Sequence, residues 1–283
     1  MKKAENKTVN WEAFESWVRK DHRERVAREI VSYAKRYAHC LLKHDLTEVA
    51  CLRRTLRTHV IKALSNLSKF LGVYEEYKRL IRSYGIGWTG KSVDDLVIER
   101  LTKVKNPDEV FQWVKQVKTV RPDLAEFMDF ISVSGLRLNE AVESFNLVIT
   151  LSREGKLSEY YNEQTEALEH FRFKETFIRR TKKAFVSFVP KQLIQKITLC
   201  STLKSKDAVQ KRVHKEGLSV RFSDIREAHA TLLTKYLKQP EIDFIHGRVS
   251  ANVFMSNYFN PAMISDLKQR VFQAIAEITR KIS

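Results

Sequence analysis

The sequence predicts a mainly α-helical chain with one small antiparallel β-sheet, an α+β class, in two domains spanning residues 1–102 and 103–283. Three observations predict it. Apolar residues recur at helical spacing over most of the first hundred residues and again after residue 190. Between them, the aromatic and β-branched segments "EALEHFRF" (166–173) and "KAFVSFVP" (183–190) read as strands. With 283 residues, the chain is long enough for two ordinary domains, each burying its own core.

The N-terminal elements follow in order. Trp11, Phe14, Trp17 and Val18 set a first helical register, and Val26, Ile30, Ala34, Tyr37 and Leu41 a second. "CLRRTLRTHVIKALSNLSKFLGV" (51–73) predicts a third helix with Leu52, Leu56, Leu64, Leu67 and Leu71 on one stripe. Arg53, Arg54, Arg57, Lys62 and Lys69 lie on its other face. "YGIGWTG" (84–90) interrupts the pattern, and "SVDDLVIERL" (92–101) restores one short helix. "TKVKNPDEV" (102–110) reads as a linker ending in a helix start at Asn106-Pro107, because proline fits the first helical turn.

In the second part, Leu124, Phe127, Met128 and Ile131 predict a buried helix that stops at Gly135, and Asn139 is expected to cap the next. Arg137 then sits in a tight turn between two buried helices. A guanidinium there needs a partner, and Glu140 is in reach as one. "RRTKK" (179–183) lies at or near the tip of the hairpin between the two strands. In "FSDIREAHATLLTKYL" (222–237), Ile225, Leu232, Leu233 and Tyr236 share a face, Ser223 is the expected N-cap, and Arg226 falls in the first turn. A cation there opposes the helix dipole but is well placed to meet an anion. His229 reads as a core histidine, and His170 stands beside Phe171 in a strand. "PAMISDLKQRVFQAIAEITRKI" (261–282) predicts one amphipathic helix with Met263, Leu267, Val271 and Ile275 on its stripe.

Charge narrows the partners. Lysine and arginine total 51 against 34 acids, a net charge of +17, which points to a polyanion and most often to nucleic acid. A solvated basic surface without a partner is the plainer alternative. No sheet-aromatic motif of the RNA-binding kind is present. Three scattered cysteines suit neither a disulfide framework nor a zinc knuckle, so a reducing compartment is expected. Apolar runs are shorter than a membrane span and the N-terminus lacks a signal-peptide core, so the expected location is cytoplasmic, with no membrane partner.

Taken in order, "SGLRLNE" (134–140), the lysine-tipped hairpin, "SDIREAHATLL" (223–233), "IHGRVSANVF" (245–254) and "SNYF" (256–259) resemble the tyrosine recombinase family, most of all its archaeal virus and plasmid integrases. The resemblance covers about residues 106–283. The first segment is close to the family's T/S-G-L-R-x-x-E, and "IREAHATLL" is similar to its L-R-H-T-F-A-T-x-L. The N-terminal helices match only in architecture, as the DNA-gripping domain of such enzymes.

The resemblance implies a site that breaks and rejoins double-stranded DNA at attachment sites, with no metal or nucleotide cofactor. Arg137 and Arg226 would hold the non-bridging oxygens of the scissile phosphate. Lys182, or alternatively Lys183, would protonate the departing 5′ oxygen. Tyr258 would attack phosphorus to form a 3′-phosphotyrosyl link. Ser223 stands where histidine or lysine is usual, and donates a hydrogen bond but is no base near neutral pH. Arg248 stands where histidine or tryptophan is usual, with His246 as the alternative. Recombination in this family engages four protomers on two duplexes, often linked through the terminal helix. A catalytically inactive DNA-binding descendant is the alternative that Ser223 and Arg248 raise. A type IB topoisomerase-like enzyme is a third reading, against which the short N-terminal part and the spelling at 134–140 argue.

Overall fold

The structure is a computed structural model that describes residues 9–22, 24–87, 93–102, 106–179, 182–203, 205–248, 260–261 and 264–283. The expected nucleophile Tyr258 and the expected stripe residue Met263 lie outside the described residues. The chain divides into two compact units between residues 104 and 105.

Among its described residues, the first unit contains helices and no strand. α1 (Trp11–Asp21) is capped by Asn10, whose side chain accepts from the Ala13 N–H at 3.0 Å. α2 (Glu24–Leu42) packs against α1 and against the helix over residues 54–70, and buries Ile30, Ala34, Tyr37 and Leu41. The helix expected over 51–73 is present but starts three residues later, and Cys51 belongs to a separate short helix before it. α3 (Thr47–Cys51) ends before an extended Leu52 and Arg53, and α4 (Arg54–Phe70) starts afresh. The short helix has a cause upstream, where Asp45 accepts from the Thr47 N–H and hydroxyl and starts α3. That turn seats Leu46 and Val49 in the core, both fully buried. α5 (Tyr74–Ser83) is tied to α4 by the buried Tyr77 hydroxyl, which donates to the Ile61 carbonyl at 3.1 Å. α6 (Val93–Thr102) follows. Arg53, Arg54, Lys62 and Lys69 are exposed, so α4 carries a basic outer face.

The second unit packs helices around a small sheet. α7 (Pro107–Val120) starts as expected, with Asn106 accepting from the Asp108 N–H at 2.9 Å. α8 (Ala125–Ser134) is almost wholly buried and ends at Gly135 in the left-handed conformation. α9 (Leu138–Arg153) begins one residue before the expected cap, so Asn139 lies inside the helix. Arg137 holds the cap position instead, because Glu140 accepts from its backbone N–H at 3.3 Å.

β1 (Tyr161–Asn162), β2 (Ala167–Leu168) and β3 (Ser187–Phe188) form an antiparallel sheet in the order β1-β2-β3. Tyr161 pairs with Leu168 and Leu168 with Ser187. The strands are far shorter than the two segments that predicted them. His170 explains this: it lies in a 3₁₀ turn, not a strand, and is fully buried. Its Nδ1 lies 2.7 Å from the Tyr160 hydroxyl and its Nε2 2.8 Å from Ser187 Oγ. The chain bends inward to satisfy both nitrogens, which ends the alternation after Leu168. Burial drives the imidazole pKa down to about 3, so it is neutral.

The remaining elements among the described residues are helices: α10 (Lys174–Phe177), α11 (Lys191–Thr198), α12 (Lys206–Lys215), α13 (Phe222–Leu233), α14 (Gln239–Ile245) and α15 (Leu267–Ile282). Ser223 is not the cap of α13. The helix starts at Phe222, which puts Ser223 within the first turn and Arg226 in the second. Arg221, at the cap position, pairs with Asp224 at 3.1 Å. Tyr236 lies beyond the helix and donates to Glu277 Oε2 on α15 at 2.8 Å. α15 starts at Leu267 rather than near residue 261, and docks on α7, α8, α13 and β3 of its own unit. Val271, Ala274, Ile275 and Ile278 fill that contact, and Arg270 bonds both Glu241 oxygens at 2.6 and 2.8 Å. Among the described residues, no helix is long and apolar enough to cross a membrane.

Candidate functional site

Four separate segments of the second unit meet around two arginines. The first is the turn after α8. Gly135 has φ +59°, and a Cβ there would fall 2.4 Å from His229 Nδ1. Only glycine suits both the backbone and the space. We therefore expect Gly135→Ala to cost about 2–5 kcal/mol, summing left-handed strain and overpacking. Chemical denaturation measures it; an unchanged midpoint would show that the His229 ring does not sit under this turn.

The turn delivers Arg137. Its Nη1 donates to Glu140 Oε1 at 2.9 Å and Oε2 at 3.1 Å, and to the Lys183 carbonyl at 3.4 Å. Arg179 Nη2 donates to the same Glu140 Oε1 at 3.0 Å. One buried carboxylate thus serves two guanidinium groups, which leaves the cluster positive.

The second segment is the hairpin. Ile178 and Lys183 pair as an antiparallel bridge, and the Arg179 N–H donates to the Lys182 carbonyl at 3.0 Å. Lys182 is exposed at the tip, whereas Lys183 is half-buried and turns its carbonyl toward the site. A Cβ on Gly247 would lie 1.8 Å from that carbonyl oxygen. The missing side chain lets the hairpin press against the end of α14.

The third and fourth segments are α13 and the end of α14. Arg226 Nη1 donates to the Gly135 carbonyl and Nη2 to the His246 carbonyl, both at 2.5 Å. Arg226 thereby ties the ends of α8 and α14 together. Carbonyls orient a guanidinium without neutralising it, and no carboxylate among the described residues forms an ion pair with Arg226. Burial, followed by the Arg137 charge, lowers its pKa to about 10. It stays charged at neutral pH, held in a partly buried place that favours an anion.

Behind it lies a histidine pair. His229 Nε2 is 3.1 Å from the Val133 carbonyl, which only accepts, so this nitrogen carries the proton. His229 Nδ1 is then an acceptor for His246 Nε2–H at 3.0 Å. His246 Nδ1 is left as a buried lone pair with no partner among the described residues. Burial drives the His229 pKa down to about 4 and that of His246 further down, with His229 and Arg226 adding to the second shift. Both rings are neutral.

The structure brings together Arg137, Arg226, His246 and the Lys183 backbone, with Lys182 on the same hairpin. Arg248 stands apart from direct contact. Its side chain is 52% exposed, with Nη1 3.9 Å from Asp243 Oδ1. Its charge still helps to lower the pKa of both Arg226 and His246, so it lies within electrostatic range. Ser223 is exposed, its hydroxyl 3.3 Å from Asp224 Oδ1. Sequence reasoning missed Arg179, hidden in a run of basic residues, and the tie from Arg226 to two helix ends.

Residues 102–274, more than half of the chain, match the family model described as archaeal phage integrase. That span includes Arg137, Lys182, Ser223, Arg226, Arg248 and Tyr258. No curated protein and no solved structure gives a match.

Proposed function

Because the chain belongs to the archaeal phage integrase family, whose business is site-specific recombination of DNA, we propose that it cuts and rejoins strands through a 3′-phosphotyrosyl intermediate, with no metal or nucleotide cofactor. The observation that carries this reading is Arg226, charged, partly buried and beside Arg137, with backbone carbonyls for partners. Arg137 and Arg226 hold the non-bridging oxygens of the scissile phosphate, where a planar fork matches two oxygens and stays charged. Tyr258 Oη attacks phosphorus as its proton leaves. The bond to the 5′ oxygen breaks, and Lys182 at the hairpin tip donates a proton to it, with Lys183 the alternative donor. One phosphodiester is exchanged for another ester, so religation needs no ATP. Ser223 donates its hydroxyl to a phosphate oxygen.

The other tyrosines of this unit support the choice of Tyr258. Tyr160 and Tyr161 are buried, their hydroxyls bonded to Ser144 and His170 and to the Val189 carbonyl. The Tyr236 hydroxyl is held by Glu277, which raises its pKa. None is suited to become a phenolate.

In this reading the basic face of α4 grips the DNA, and four protomers assemble on two duplexes. The deciding experiment uses a nicked suicide duplex that carries the attachment site. A denaturation-resistant protein–DNA band is expected. Tight binding without that band would overturn the proposal in favour of an inactive DNA-binding descendant.

Arg248 supplies a third guanidinium to the phosphorane. Arg248→Ala should slow single-turnover cleavage about 10²-fold with little loss of binding, and Arg248→Lys should recover only part of it. If His246→Ala proves the slower enzyme, Arg248 belongs to its Asp243 pair and His246 takes its place in the site.

A further inference from the structure

The N-terminal unit holds a second convergence of reactive side chains. His39 and Cys40 lie near the end of α2, and Glu48 lies in the first turn of α3. The loop between them is fastened, since the Asp45 N–H donates to the Cys40 carbonyl at 3.0 Å while Asp45 Oδ1 accepts from the Thr47 N–H at 2.9 Å. This corner gathers three different donor atoms. His39 Nε2 is 2.8 Å from Glu48 Oε2, and Cys40 Sγ is 3.3 Å from His39 Nε2 and 3.8 Å from Glu48 Oε2.

We propose that His39, Cys40 and Glu48 bind one zinc ion that closes the corner between α2 and α3. Metal–ligand bonds of about 2.0–2.3 Å at tetrahedral angles put neighbouring donor atoms about 3.4–3.6 Å apart. The three observed separations bracket that spacing, so shifts of a few tenths of an ångström complete the geometry. An ion pair between His39 and Glu48 accounts for only two of the three groups; the thiol beside both makes them a ligand set. Thiolate and imidazole together select zinc over magnesium or calcium. Cys40 is 2% exposed, whereas the side chains of His39 and Glu48 are 50% and 54% exposed. The ion is therefore backed by protein on one side and open on the other, where water takes the fourth position. Binding expels the Cys40 Sγ–H proton to solvent, and His39 coordinates through an unprotonated ring nitrogen, any proton on that nitrogen leaving to solvent as well. Thiolate and carboxylate then balance the dication, with no change of oxidation state.

The site has a structural consequence. α3 spans five residues, too few to be stable by its own hydrogen bonds. It leads directly into Arg53 and Arg54, and Arg57 Nη1 donates to the α3 carbonyl of Ala50 at 2.9 Å. A metal cross-link there orders the start of the basic α4 face.

The test uses the full chain, reduced and freed of metal, titrated with Co²⁺ and then Zn²⁺. One equivalent of Co²⁺ should give a thiolate-to-cobalt charge-transfer band that one equivalent of Zn²⁺ removes. Cys40→Ser should abolish the band, while Cys51→Ser and Cys200→Ser leave it unchanged. Glu48→Gln and His39→Gln, both surface changes that spare the core, should each weaken zinc binding by more than about tenfold. A cobalt complex without the band, a band that survives Cys40→Ser, or zinc affinity unaltered in both surface variants would overturn the assignment.

Discussion

Tyr258→Phe is expected to form no covalent adduct on a suicide substrate while binding the same DNA nearly as tightly as the parent. The substitution removes one phenolic oxygen and leaves the guanidinium groups of Arg137 and Arg226 in place to hold phosphate. A phenol with an intrinsic pKa of about 10 is a poor nucleophile in water. Its reactivity in this site depends on cations that favour the phenolate and neutralise the charge building on phosphorus. The absence of a carboxylate from "GRVSANVFMSNYF" (247–259) fits that need, since an acid beside Tyr258 would repel the phosphate. The measurement is a denaturing gel of protein and labelled strand, paired with a binding isotherm. An adduct from the Phe variant would mean another nucleophile, and the buried, bonded hydroxyls of Tyr160 and Tyr161 leave few candidates in the same unit.

Arg226→Ala should slow single-turnover cleavage by at least about 10³, the upper end of what one donor is worth in a preorganised site. Three losses add. The phosphate loses a fixed charge. Two carbonyls, on Gly135 and His246, lose the donor they share across 91 and 20 residues of sequence. The ends of α8 and α14 are then no longer tied, and these carry Arg137 and Gly247 into the site. Arg226→Lys should recover little, because a single ammonium does not span two carbonyls and a phosphate at once. Circular dichroism on both variants separates loss of chemistry from loss of fold. A rate within about tenfold of the parent would remove Arg226 from the site.

Features carried by neighbouring residues are legible in the sequence. Helical periodicity marks most helices of both units, because apolar spacing is a local property. Gly135 and Asn106-Pro107 signal a helix stop and a helix start through backbone chemistry that acts within a turn. The order of Arg137, the basic hairpin, Arg226 and Tyr258 carries the family. The excess of 51 basic over 34 acidic residues points to a polyanion, most often nucleic acid, from composition alone.

Tertiary structure decides what depends on partners far apart in the chain. The carbonyls that hold Arg226, and the His229–His246 pair behind it, lie on elements that meet only when α8, α13 and α14 pack. His170 breaks a strand that its neighbours predict, because satisfying both ring nitrogens outweighs local β preference. Asp45 starts a separate short helix, α3, ahead of the predicted one, and seats Leu46 and Val49 in the core. The docking of α15 on its own unit is likewise open in the sequence, since an amphipathic stripe states that a face is buried and not against what. In each case the deciding energy is a buried polar group finding its partner or an apolar face finding its cover, and neither is encoded in a local window of residues.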